Sequence, residues 1–116
     1  MNVVVLRGQL SSEPVVRELA SGSSLLSLEV STVTPDGLVS VPVAWFDPPR
    51  CPVWERGVEV VVAGVVKRRF YRSATGTQSR TEVVAYEVVE ARKRQAVRRL
   101  VERSIQRIVP PTTPVE

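Results

Sequence analysis

Between Val65 and Arg80 the sequence VVKRRFYRSATGTQSR sets Lys67, Arg68, Arg69, Arg72 and Arg80 around Phe70 and Tyr71, with no acid among them. Guanidinium and ammonium groups hold phosphate oxygens, guanidinium also lies flat on conjugated rings, and aromatic faces accept other flat rings. In an extended chain, alternation gives Lys67, Arg69 and Tyr71 one face and Arg68, Phe70 and Arg72 the other. The chemistry on offer is therefore the holding of a polymer that is both anionic and ring-bearing. The competing reading is a solvated hairpin in which Phe70 or Tyr71 folds back on the core and the charges discourage edge-to-edge association.

The charge distribution favours the first reading. The 116-residue chain carries a net charge of +4, divided as +5 over residues 67–80, +6 over residues 92–107 and −7 over the remainder. Two local positive potentials on an otherwise acidic body attract a polyanion more selectively than an even spread would. Catalysis is not expected. There is no histidine to serve as general base, and the lone Cys51 has no partner to activate it or to close a disulfide. SATGTQS has one glycine and reads as a turn, not a phosphate-binding loop, and no close carboxylate pair suggests a metal. Neither a metal nor another cofactor is expected. No apolar run approaches the roughly 20 residues of a membrane span, and MNVVVLRGQL breaks at Arg7 and Gly8. Cytoplasmic residence without a membrane partner follows as the expectation.

The elements that must carry the ridge read as strands nearly throughout. Val3 to Leu10 is a β-rich run that continues through Ser11-Ser12-Glu13-Pro14 into Val15 to Leu19. Leu26, Leu28, Val30 and Thr32 alternate with polar residues, and Thr34-Pro35-Asp36-Gly37 turns the chain into a strand whose Val39, Val41, Val43 and Trp45 share a face. Pro42 lies on the opposite face, so that strand must have an edge or bulge there. DPPRCPVWER holds three prolines and permits at most one helical turn, with Trp54 read as an apolar plug on the open end of the sheet. A fourth strand is predicted from Gly57 to Arg72 and a fifth from Thr81 to Glu90, joined by a polar turn over Ser73 to Ser79. Five strands in this order predict an all-β chain, a five-stranded Greek-key OB-fold barrel, in which Gly8 supplies the bend that lets the first strand serve both halves.

The chain resembles the bacterial single-stranded DNA-binding protein family over residues 1 to about 91. The resemblance rests on MNVVVLRGQLSSEPVVREL at the first strand, SVPVAWFDP at the third, and AGVVKRRFYRSATGTQSRTEVVAYEVV at the fourth and fifth. It implies sequence-tolerant binding of single-stranded DNA, with RNA as a possible ligand, by a homotetramer or homodimer of OB domains in replication, recombination or repair. Matched by spacing from Gly64, the family's fourth-strand aromatic falls on Tyr71 and its third-strand aromatic on Trp45. The resemblance then assigns base stacking to Tyr71 and Trp45 and phosphate neutralisation to Lys67, Arg69 and Arg80, with Arg68, Phe70 and Arg72 completing the interface. For Trp45, a place in the core or in a subunit contact is the alternative.

Three departures qualify what is implied. The hairpin after the second strand is short, aromatic residues make up only 5% of the chain, and PPTTPVE is no counterpart of the family's acidic, aromatic tip. Weaker binding and no tip-mediated recruitment of repair proteins are the expectation, as is a flexible tail over 110–116. An OB module for protein interaction, or a primosomal accessory protein, is the rival function. Residues 92–109 contain Val97, Leu100, Val101, Ile105 and Ile108 at helical spacing, with Arg99, Arg103 and Arg107 on another face, predicting a basic amphipathic helix. Packing on the barrel or a neighbouring subunit, extension of a DNA track, and a membrane surface are its competing uses.

Overall fold

A computed structural model describes residues 1–109, and the expected flexible tail over 110–116 lies outside the described residues. Six strands, β1 (Val4–Leu10), β2 (Val15–Glu18), β3 (Ser24–Thr34), β4 (Gly37–Phe46), β5 (Glu59–Ser73) and β6 (Gly76–Glu90), precede one helix, α1 (Arg94–Ile108). β1 and β2 pair with successive parts of β3 and act as one bent strand, so the chain is an all-β, five-stranded closed barrel of OB type with a C-terminal helix.

Closure requires β1 to leave one neighbour for another. Val4 to Gln9 pair with β5, while Gln9 and Leu10 pair with β3. Gly8 sits at this crossing, where an added Cβ would lie 2.2 Å from the Ser31 carbonyl oxygen, so only glycine lets the backbones approach. At the start of β1, the Asn2 amide donates to the Val66 carbonyl at 2.7 Å and accepts from the Val66 amide at 2.9 Å, continuing the ladder with a side chain. The barrel closes on the other side by a parallel joint between β4 and β6 that consists of Val43 opposite Val83 and Ala44 opposite Val84. Pro42 precedes this joint, where β4 has only β3 beside it, which is the edge position its missing N–H demands.

The alternation read from sequence fills the interior. Leu26, Leu28 and Val30 of β3 meet Trp45, Val43 and Val41 of β4, with Val60, Val62, Val83, Ala85 and Val88 closing the core. Trp54 packs against this core from the proline-rich connection and donates its indole N–H to Glu90 at 3.1 Å, the plug that the sequence suggests. No helix forms in that connection.

The fourth and fifth barrel strands differ from expectation. The predicted turn over Ser73 to Ser79 is mostly strand: only Ala74 and Thr75 separate β5 from β6, and pairing runs out to Ser73 opposite Gly76. Ser73 explains the tight reversal, because its hydroxyl donates to the Gly76 carbonyl at 3.0 Å and meets the Thr75 hydroxyl at 3.1 Å. Thr34 repeats the device in the β3–β4 hairpin, donating to the Gly37 carbonyl at 2.8 Å. Polar residues that look like loop in sequence thus extend the hairpin beyond the barrel.

Helix α1 lies on the outside of β5 and β6. Leu100 is fully buried among Val61, Ala63 and Ala91, flanked by Val89 and Val97. Arg103 holds Glu87 of β6 through two bonds of 2.8 and 2.5 Å, and the Arg107 guanidinium lies 3.8 Å over the Tyr86 ring. These contacts turn the helix so that the predicted apolar stripe divides. Val97 and Leu100 face the barrel, whereas Val101, Ile105 and Ile108 are exposed. Among the described residues no helix is long and apolar enough to cross a membrane.

Candidate nucleic-acid interface

The outer face of the β3–β4 pair is where the predicted ridge ends up. Residues alternating with the core on β3 are Leu25, Ser27, Glu29 and Ser31, and their β4 neighbours are Phe46, Ala44, Pro42 and Ser40. Beyond the parallel joint the β5–β6 hairpin arches over this face. Arg80 reaches Glu29 at 2.9 Å, and the Ser40 hydroxyl donates to the other Glu29 oxygen at 3.1 Å.

Between the arching hairpin and the sheet runs a groove of about 420 Å³ lined by Arg17, Leu25, Ser27, Arg69, Tyr71 and Arg80. Lys67, Arg69 and Tyr71 stand opposite Glu82, Arg80 and Gln78 on β6, and of the three Arg69 and Tyr71 line the groove. Tyr71 is 43% exposed, and its hydroxyl donates to the Gln78 side-chain oxygen at 3.2 Å. Gln78 in turn donates to Thr75 at 3.2 Å, so the ring is steadied at its hydroxyl end. A second recess of about 490 Å³ brings Phe46 together with Lys67, Arg68, Arg69 and Phe70.

The cations fall into two kinds. Arg69 binds Glu82 at 3.0 Å, a carboxylate whose side chain is only 4% exposed, and Arg80 is held by Glu29. Among the described residues, Arg17, Lys67, Arg68 and Arg72 make no ion pair, and all four are exposed. Paired arginines still present donors to a ligand, but the net positive charge comes from the unpaired four.

Trp45 is the correction. It is 7% exposed and packed in the core opposite Leu26, because β4 alternates and Trp45 shares parity with the core residues Val41 and Val43. The next residue, Phe46, points outward and is 39% exposed. The outward aromatic of this strand is thus one position along, and Trp45 belongs to the core alternative. Phe70 is exposed beside Arg68 and Arg72 on the opposite face of the hairpin from Tyr71, so neither ring folds back on the core.

Sequence reasoning missed Arg17, Leu25, Ser27 and Phe46. Phe46 follows from parity once Trp45 is placed inside, while Arg17 needs the β2–β3 register, in which it stands opposite Leu25. A wider cleft of about 740 Å³ beside Trp54 is a weaker candidate for a polyanion. Its three arginines, Arg7, Arg92 and Arg94, are matched by Glu55, Glu59 and Glu90, with Arg7 and Arg92 paired to Glu59 and Glu90 at 2.6 and 2.5 Å. No protein-family model and no curated protein matches the chain.

Proposed function

We propose that this chain binds single-stranded DNA with little regard to sequence, as part of replication, recombination or repair. The observation that carries the reading is the groove that the partly exposed Tyr71 lines together with Arg17, Arg69 and Arg80. Every base has a stackable face, so a ring flanked by cations holds a strand without reading it, each stack being worth about 1–3 kcal/mol. Lys67, Arg68 and Arg72 sit beside the groove without carboxylate partners and supply the counterion release that makes such binding depend on salt. In this reading the protein acts as a homo-oligomer, and the exposed Phe46 and Phe70 serve as further surfaces for bases.

The test is titration of a labelled oligo(dT) against the parent and Tyr71→Ala. Loss of a single stack predicts about 5- to 150-fold weaker binding by the variant, and the parent's log affinity falls linearly with log salt. Equal affinity of the two proteins would overturn the assignment of the groove. A parallel titration with oligo(U) compares DNA with RNA.

A second reading, an OB module for protein interaction, is favoured by Val33 and Leu38. These residues stand opposite each other at the tip of the β3–β4 hairpin and are 79% and 74% exposed. Binding of oligo(dT) no better than of a synthetic polyacid would select it.

A further inference from the structure

The unassigned feature is the outward basic surface of α1. Of its arginines, Arg103 is neutralised by Glu87 and Arg107 is laid over Tyr86, so these two fasten the helix to β6. Lys93, Arg94, Arg98 and Arg99 are exposed and make no ion pair among the described residues; the only acid on the helix is Glu102. A helix needing only to pack would not require four unpaired cations on its solvent side, where they repel one another.

Parity along β5 connects this surface to the groove. Val61 and Ala63, which lie under the helix, share a face with Val65, Lys67, Arg69 and Tyr71. From Ala63 to Arg69 is six residues, about 20 Å along the strand at roughly 3.3 Å each. The helix runs back along β6 from Ala91 towards Tyr86, so Arg103 and Arg107, fastened to Glu87 and Tyr86, lie between the groove and the free cations of its N-terminal half. Tyr86, the ring beneath the C-terminal end of the helix, is 44% exposed, but the Arg107 guanidinium already lies 3.8 Å over one of its faces.

We propose that the basic surface of α1, centred on Arg98 and Arg99, is a second, phosphate-only segment of the nucleic-acid path, engaged when a strand is long enough to leave the groove and continue over the outer face of β5 and β6. This rests on the groove reading above. The helix adds charge contacts without stacking, so it contributes affinity only to long strands and does so with strong salt dependence.

The test uses the full chain with two labelled oligo(dT) probes, of about eight and about thirty nucleotides, within and beyond the roughly 4–16 nucleotides an OB domain occupies. Arg98→Gln/Arg99→Gln is compared with Tyr71→Ala, with circular dichroism confirming that both variants fold. The helix variant is expected to weaken the long probe about 10-fold and to reduce its salt slope by about 1.4, at roughly 0.7 per lost phosphate contact. The short probe should change by less than about twofold, and Tyr71→Ala should weaken both. Unchanged binding of the long probe, or equal loss for both probes, overturns the helix track even where Tyr71→Ala behaves as expected. A Tyr71→Ala protein that binds both probes normally overturns the groove instead. Loss of binding to anionic phospholipid vesicles with no loss for either probe would assign the helix to a lipid surface and overturn the proposal.

Discussion

Arg69 shows why a cation on a binding surface is not automatically a ligand contact. Its guanidinium bonds the Glu82 carboxylate, which has almost no access to water. Removing the arginine strands that charge, whereas removing both partners does not. Arg69→Ala is expected to lower stability by about 1–3 kcal/mol, discounted because Arg69 is itself half exposed, and Glu82→Gln in the same chain should restore much of it. Urea melts of the single and double variants measure this, and equal stability of the two would show that the pair is not coupled. Binding experiments on Arg69→Ala therefore mix folding with recognition, while Lys67, Arg68 and Arg72 report on recognition more directly. The pairing was beyond reach in the sequence, because Glu82 looks like any solvent-facing acid until the hairpin extends far enough to set it opposite Lys67 and diagonal to Arg69.

The helix and the long hairpin are the elements that period alone described least well. For α1, spacing located the element to within two residues of its ends, yet placed Val101, Ile105 and Ile108 with Leu100 in a single stripe. The orientation is settled by the tertiary contacts of Arg103 and Arg107, which a one-dimensional pattern does not contain. Because burial is concentrated on Leu100, Leu100→Ala should cost about 2–5 kcal/mol, the range for a fully enclosed leucine. Thermal melts check this, and Ile105→Ala, at a residue 52% exposed, is the control expected to change little. For the hairpin, the serines and threonines of residues 73–79 bias a reader towards loop, but in strand they leave Tyr71 and Gln78 facing each other across a regular ladder. The barrel strands themselves were readable because alternation of valine and leucine with polar residues survives wherever one side faces the core.

For the molecule as a whole, the order of strands was readable and the assembly of the groove was not, since it depends on one hairpin arching over another. Trp45 and Phe46 illustrate the difference: both are aromatic and adjacent, and only the parity of β4 decides which one faces outward. The connection that seals the barrel adds a dependence on acid. Arg92 and then the Trp54 indole N–H bond the Glu90 carboxylate and hold its pKa below the ordinary value of 4.5. A carboxylate with a lowered folded pKa contributes fully above its unfolded value and loses that contribution as pH falls through the folded value. Thermal stability should thus hold steady above about pH 5 and decline below about pH 4.5. Glu90→Gln should flatten the part of this decline that comes from the plug, measured as melting temperature against pH.

The parallel joint between β4 and β6 has two rungs, against ten in the adjoining β3–β4 ladder. Local opening is cheapest where the fewest bonds must break, and this joint shares its two-rung length only with the β1–β3 joint. The two walls of the groove hang from β3 and β6, one on each side of it. One of the two shortest seams of the barrel thus lies between the strands from which the walls of the groove rise.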